Sequence, residues 1–202
     1  PAMKRRLPRF LLLITVLIAM SIGLLTCGAH PAASYDQSPQ YGEGRFHNVA
    51  KQVPLGFVRG AKVWWRFLFD KPADATPQVA IPVHALTRQA LLDAPDDSLW
   101  RLGHSTMLMK LDGHFWLTDP VFSERVSPFS FMGPKRFHAP PLSIEELPEI
   151  TGVIISHDHY DHLDHDAVLA LAPKVRHFVT ALGVGDRLLA WGVPREKITQ
   201  LD

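Results

Sequence analysis

The chain has 202 residues, of which 47% are hydrophobic and 20% charged, as expected for one globular domain with a short apolar appendage. Acidic and basic residues almost balance at a formal net charge of +1, so the strong positive field of nucleic-acid-binding proteins is missing and we expect no nucleic-acid partner. Cys27 is the single cysteine, which excludes a disulfide framework and a cysteine-based metal site, so any metal must be held by histidine and carboxylate.

An uncharged, strongly apolar run over residues 10–29 follows a short basic stretch at the N-terminus. The run is long enough to cross a hydrocarbon core of about 30 Å as a helix. The basic flank predicts a signal peptide or membrane anchor over residues 1–29, with the rest anchored at or exported across a bacterial-type inner membrane. Cleavage after Ala29 and an uncleaved anchor both fit. A lipid anchor on Cys27 is disfavoured because Thr26 precedes it, and a buried core helix because no polar face interrupts the run.

Residues 30–95 are predicted to be a linker and an N-terminal extension, beginning with a stretch rich in Pro, Ala, Ser, Gln and Gly. Within it, the aromatic run Val63–Phe69 has two interpretations. It is either a helix lying on a membrane surface or an element that packs its aromatic side chains onto the catalytic domain. Helical spacing over residues 83–92 predicts a short amphipathic helix, ended by Pro95.

Short strands and turns follow. Residues 107–111 and 114–118 are expected to pair as a hairpin, because Asp112-Gly113 between them is the strongest hairpin signal in the chain. Residues 123–148, rich in Ser, Gly and Pro, are predicted to form a long loop, and loops of that length are usually functional or disordered. The elements predicted after this loop are a buried strand over 152–156, helices over 164–171 and 184–191, and a strand over 175–180.

The run Ser156 to His162, directly after the buried strand, concentrates metal-binding donors. It contains three imidazoles and a carboxylate, those of His157, His159, Asp161 and His162. Divalent metals such as zinc bind these nitrogen and oxygen donors at about 2.0–2.2 Å. In a turn, His157 and His159 can point at one ion while Asp161 and His162 project towards a second, whereas a continuous helix would scatter them around its axis. A solvated histidine-rich loop is the alternative, and the preceding buried strand argues against it.

Four motifs in chain order resemble the N-acylphosphatidylethanolamine-hydrolysing phospholipase D family and its bacterial relatives in the metallo-β-lactamase superfamily: Trp100–Thr106, Leu117–Phe122, Met132–Phe137 and Ile155–Asp164. The resemblance covers residues 96–202. It implies an α/β (α+β) fold, namely the N-terminal half of a metallo-β-lactamase αββα sandwich. It also implies two zinc ions as cofactors and a phospholipid substrate at a membrane, which is cleaved to an N-acylethanolamine and phosphatidic acid.

The resemblance assigns roles to individual residues. His157 and His159 would hold the first zinc, and Asp161 and His162 the second, which makes Asp161 the candidate catalytic residue. Tyr160 matches a position that touches the substrate. Asp119 would support the metal loop from behind the ligands.

His104 matches a buried family position near the site that does not bind metal, and a hydrogen-bonded core histidine is the alternative interpretation. His177 is expected to be structural.

The family completes its site with a further His, a bridging Asp and a last His, all well downstream of the first cluster. We therefore expect residues 96–202 to be the N-terminal part of such a domain, inactive and poorly soluble alone. The alternatives are a lactonase or another small-molecule hydrolase of the same fold, and a non-catalytic membrane-anchored fragment. The sequence does not indicate an oligomeric state.

Overall fold

The computed structural model describes residues 35–50, 56–70, 72, 74–127, 131 and 133–202. The predicted membrane or signal helix over residues 10–29 lies outside them. None of the helices in the described ranges combines the length and hydropathy needed to cross a membrane. The helices are α1 (Phe57–Phe69), α2 (Arg88–Asp93), α3 (His165–Leu171), α4 (Val184–Ala190) and a 3-10 turn (Arg195–Lys197). The strands are β1 (Tyr41–Gly42), β2 (Arg45–Phe46), β3 (Ser98–Gly103), β4 (Thr106–Leu111), β5 (His114–Thr118), β6 (Ile150–Ile155), β7 (Val175–Ala181) and β8 (Ile198–Leu201).

A six-stranded mixed sheet organises the fold, with its strands in sequence order from β3 to β8. Strands β3, β4 and β5 form an antiparallel meander, and β5 to β8 run parallel. Helices α3 and α4 provide the crossovers between the last three strands, as parallel neighbours require. The result is the mixed α/β architecture that the sequence predicts.

The predicted hairpin is present, and its turn explains why. Asp112 and Gly113 have φ angles of +50° and +73°, the positive pair that a two-residue type I′ turn requires and that Asp and Gly tolerate. The register pairs Leu111 with His114 directly across the turn. The turn chemistry therefore fixes the register of the meander that leads to β5.

One face of the sheet is buried in a single hydrophobic core. The central row of this face is formed by Leu108, Leu117, Val153, Phe178 and Ile198, which stand opposite one another in the strand register. Buried side chains of the helices complete the core: Leu91 of α2, Val168 and Leu171 of α3, and Val184 and Leu188 of α4. This packing fixes the carboxyl ends of the parallel strands relative to one another.

The opposite face of the sheet is open. Leu99, Ile154 and Leu201 project from it with 60%, 38% and 56% of their surface exposed. Near the middle of this face the ring of Trp116 lies on Gly152, where a Cβ atom would come within 2.3 Å of the ring. Only one layer of helices therefore packs on the sheet in the described part of the chain.

The predicted helix over residues 83–92 is wrong in its first half. Residues 81–87 are not helical, and α2 begins only after Thr87, whose hydroxyl accepts a hydrogen bond from the Ala90 N–H and caps the helix. The Leu86 N–H donates instead to the carbonyl of Pro141. A tertiary backbone contact and an N-cap residue override the helical spacing at this point.

Part of the predicted linker has structure of its own. Strands β1 and β2 form a small hairpin on which the rings of Tyr35, Tyr41 and Phe46 cluster. The Tyr35 hydroxyl donates to the carboxylate of Asp186 in α4. Partial burial and this carboxylate raise the pKa of Tyr35. The segment that leads into the hairpin is thereby joined to the first turn of α4.

Candidate metal centre

Two adjacent parallel strands deliver the site. In the register of β5 and β6, Thr118 stands opposite Ile154. The next residues along the chain are Asp119 after β5 and the Ser156 to His162 run after β6. The carboxyl ends of parallel strands share one edge of the sheet, which is where open α/β sheets place their chemistry.

The Asp119 carboxylate ties these two strand ends together. It is buried, and it accepts hydrogen bonds from the Ser156 N–H at 2.7 Å and the Ser156 hydroxyl at 2.8 Å. Its second oxygen lies 2.9 Å from Nδ1 of His162. Asp119 has a φ of +39°, and its own N–H donates to the carbonyl of Ile154, which keeps the strand ends paired. The carboxylate thus fixes the His162 ring with its Nε2 atom facing away from Asp119.

A tight turn brings the histidines together. The carbonyl of His159 accepts hydrogen bonds from the N–H groups of His162 and Leu163, and the Leu163 side chain anchors the turn in the core. The ring centre of His157 lies 4.7 Å from that of His159 and 4.0 Å from that of His162. Asp161 Oδ2 lies 3.7 Å from Nε2 of His162. All four predicted ligands therefore converge on one locus.

His104 joins this locus from the turn between β3 and β4. Its Nε2 atom lies 3.0 Å from Asp161 Oδ2. Partial burial raises the pKa of Asp161, but hydrogen bonds from its own backbone N–H and from His104, with the nearby charges of His162 and His104, outweigh burial and lower this pKa overall. Asp161 is therefore a carboxylate at neutral pH, the form that binds cations.

His104, Asp161 and His162 offer ligand atoms that all lie within 4.8 Å of one another, close enough to hold one metal ion. His157 and His159 add two imidazoles beside them. The donor set is nitrogen and oxygen only, and Asp119 occupies the Nδ1 side of His162 as the carboxylate partner of a metal-bound histidine does. These residues fit a divalent metal such as zinc.

The remaining site residues predicted from the sequence have clear positions. The His104 side chain is 57% exposed, so the prediction of a buried position is wrong: the β3–β4 turn holds this ring over the site, at the surface. Tyr160 is exposed on the same turn as the cluster. His177 packs away from it, with its Nε2 atom 2.6 Å from the Thr199 hydroxyl of the neighbouring strand, a contact of the structural kind expected.

Asp164, to which the sequence pattern assigns no role, lies behind the turn of residues 157–163 that carries the predicted ligands, here called the metal turn. Its buried carboxylate caps α3 by accepting from the Asp166 and Ala167 N–H groups. It also accepts from the backbone N–H groups of Phe122 and Ser123, which lie in the loop after β5. An aspartate just before a helical pattern is an N-cap signal, so the first of these contacts could have been predicted.

Two further contacts have no local sequence signal. Arg187 of α4 donates from Nε and Nη2 to one carboxylate oxygen of Asp158, inside the metal turn, at 3.0 and 2.7 Å. Arg136 donates to the carbonyl of Phe122 and packs against Gly103, where a Cβ atom would lie 2.7 Å from its guanidinium. Arg187 thus holds a side chain of the turn, and Arg136 holds backbone next to the site.

Comparison with known proteins gives matches over much of the chain. Residues 114–201 match the family model described as Beta-lactamase superfamily domain. The chain is 41% identical over 170 residues to an uncharacterized protein of Mycobacterium tuberculosis, an alignment covering 83% of this chain and 45% of that protein. It is 42% identical over 102 residues to N-acyl-phosphatidylethanolamine-hydrolyzing phospholipase D 1 of Caenorhabditis elegans, covering 49% of this chain and 29% of that protein.

Among solved structures, the chain is similar to an isothiocyanate hydrolase from Delia radicum gut bacteria, with 24% identity and a TM-score of 0.42 over 52% of this chain and 41% of that one. The chain spans less than half the length of the two curated relatives. The resemblance to the phospholipase family, predicted from the four motifs, is confirmed for about half of the chain.

Proposed function

We propose that this chain, whose residues 114–201 match the Beta-lactamase superfamily domain model, has the activity of a metal-dependent hydrolase that cleaves phosphodiesters. One observation carries this proposal. At the end of β6, the ring centres of His159 and His162 lie 4.7 and 4.0 Å from that of His157, Asp161 Oδ2 lies 3.7 Å from His162 Nε2, and the buried Asp119 orients His162.

Zinc is the metal we propose, with two ions in the working site. His157 and His159 would hold the first ion, and Asp161 and His162 the second. When bound, such ions supply Lewis acidity, which lowers the pKa of water and neutralises charge on phosphoryl oxygens.

The chain's own residues prepare the donors for this task. Asp119 orients His162 through Nδ1, and His104 holds one oxygen of Asp161, so both ligands are constrained before a metal arrives. Tyr160 stands exposed beside them, where it can contact a bound substrate. Preformed ligands lose little conformational freedom on binding, which favours a tight and selective site.

We propose N-acylphosphatidylethanolamine as the substrate. Water adds at phosphorus and the bond from phosphorus to the ethanolamine oxygen breaks, which releases an N-acylethanolamine and leaves phosphatidic acid. The name of the Caenorhabditis elegans relative supports this choice, as do the four motifs shared with its family. The site also suits a lactonase or another small-molecule hydrolase of the same fold, and a non-catalytic membrane-anchored module is the alternative from a different class.

The test is an assay of the protein, and of any longer product of the same reading frame, against N-acylphosphatidylethanolamine and a lactone. From the longer product we expect zinc-dependent release of N-acylethanolamine and phosphatidic acid, abolished in His157→Ala and unchanged in His165→Ala, which alters a histidine outside the cluster. Turnover of the lactone alone would contradict the phospholipid assignment. Zinc-independent turnover, or no hydrolysis of either compound, would contradict the proposed metal-dependent hydrolase.

A further inference from the structure

Helix α1 exposes an unusual set of side chains. Its large apolar residues whose side chains are described are between 53% and 91% exposed: Phe57, Val58, Val63, Trp64, Trp65 and Phe69. The rings of Trp65 and Phe69, one turn apart, lie 4.6 Å from each other. Contiguous apolar surface of this kind marks a binding site for a partner or a membrane. The described aromatic side chains of α1 are not buried against the catalytic domain, which was one of the two interpretations of this run.

The polar side of α1 is purely cationic. Its charged residues are Arg59, Lys62 and Arg66, and at about 100° per residue they fall within an arc of about 60°. The helix contains no acidic residue. Asp70, just after its end, lies 3.9 Å from Arg66, and both side chains are mostly exposed, so this pair leaves the cationic stripe essentially intact.

We propose that α1 lies flat in the headgroup region of an anionic lipid surface. Its aromatic side would enter the boundary between headgroups and acyl chains. The three cations, at the edge of that side, would reach the lipid phosphates by extending their aliphatic stems. Tryptophan and phenylalanine favour this depth because their rings are largely apolar.

The charge pattern selects this partner over a protein. A protein groove would need acidic residues at three matched positions, whereas an anionic surface offers negative charge at every position along a 13-residue helix. Zwitterionic lipid offers the apolar layer without the charge. The helix should therefore distinguish membranes by composition, independently of the proposed hydrolase activity and of the apolar run over residues 10–29.

The experiment reads the depth of α1 directly, so that binding through another segment does not mask the result. In a Cys27→Ser background, the fluorophore NBD is attached at Ala61→Cys, on the apolar side, or at Arg59→Cys, about 160° away on the cationic side. Both positions are exposed in the free protein. The full chain is mixed with vesicles of phosphatidylcholine with or without phosphatidylglycerol, and quenching by lipids brominated on the acyl chain is measured.

In vesicles that contain phosphatidylglycerol, we expect the NBD emission at position 61 to shift to the blue and to be quenched at least several-fold more than at position 59. Vesicles of phosphatidylcholine alone should produce neither effect. About 1 M salt should remove most of the quenching at position 61, because the Debye length falls to about 3 Å. Replacing Lys62 and Arg66 by Glu should abolish the signal at position 61. The matched variant Lys62→Arg with Arg66→Lys should retain it, since charge and helix propensity are preserved.

Three results would overturn the proposal. Equal quenching at positions 59 and 61 would mean that α1 has no preferred side in the bilayer. Equal signals with and without phosphatidylglycerol would remove the role of the cations. A blue shift at position 61 that appears without lipid and grows with protein concentration would instead identify a second copy of the chain as the occupant.

Discussion

At the scale of single residues, Asp119 makes several contacts that shape the candidate site. One buried carboxylate closes the end of β6 through Ser156 and orients the His162 ring. Its neighbour in the sequence is Pro120, so it sits where the hairpin strand must stop. The same residue therefore ends a strand, joins two strand ends and orients a predicted metal ligand.

Asp119→Asn should weaken zinc binding by about 10–100-fold, because the amide keeps the shape of the carboxylate but loses the charge that supports a metal-bound imidazole. The measurement is a zinc titration against a chromophoric chelator. Asp112→Asn is the matched control, since Asp112 also has a positive φ but lies in the exposed hairpin turn. Zinc affinity in Asp119→Asn within about twofold of the unaltered chain would contradict a role for Asp119 behind the ligands.

At the scale of elements, α4 and the metal turn are joined by the pair of Arg187 and Asp158. The pair brings no direct donor to the locus, but it limits the movement of the turn between His157 and His159. An ion pair of this partial exposure contributes little to global stability, about 1 kcal/mol or less. Its effect should instead be local, on how firmly the histidine side chains are held in position.

Arg187→Ala should therefore lower zinc affinity several-fold while leaving the free energy of unfolding within about 1 kcal/mol of the original. Zinc titration and urea denaturation measure the two quantities, and Arg195→Ala, which removes an exposed arginine of the 3-10 turn, serves as the control. A large loss of stability without a change in zinc affinity would assign the pair to the fold alone.

Elements with strong local signals were predictable, and those decided by distant contacts were not. The hairpin follows from the Asp112-Gly113 pair, and β6 from its continuous apolar run. The start of α2 depends on Thr87 and on a contact of Leu86 with the remote Pro141. Strand β8 has only four residues, and it is identified by its pairing with β7 and not by its sequence pattern.

The same distinction applies to the site. The spacing of His157, His159, Asp161 and His162 predicted that they would converge, because a turn after a buried strand leaves few other arrangements. The supports of the site come from elsewhere in the chain. Arg187 lies 29 residues after Asp158, and His104 lies 57 residues before Asp161, so only the folded sheet brings each pair together.

At the scale of the whole molecule, the open face of the sheet is the dominant feature. It presents Leu99, Ile154 and Leu201 to solvent, and the two outer strands, β3 and β8, carry the first and last of these. Exposed apolar faces and unpaired strand edges drive association.

The chain should therefore self-associate, and replacing Leu99, Ile154 and Leu201 together by Lys should shift it towards monomer. Stability should change little, because these side chains are already substantially exposed. Sedimentation velocity reports the association state, and the triple variant with Lys at Val79, Leu92 and Leu169 controls for added charge on exposed apolar positions off this face. Equal sedimentation of both variants would show that the open face does not mediate association.

Zinc binding by the 202-residue chain tests the central claim most directly, measured as stoichiometry and affinity in parallel with His157→Ala, His162→Ala and His165→Ala. His165 is the matched control because it lies outside the cluster but also has a carboxylate partner. Its Nδ1 atom lies 2.8 Å from Asp166 Oδ1. We predict that the chain binds zinc, that the first two substitutions each weaken binding by about a hundredfold, and that the third leaves it unchanged. Binding that is equally tight in all four proteins would contradict the assignment of the metal centre to the turn after β6.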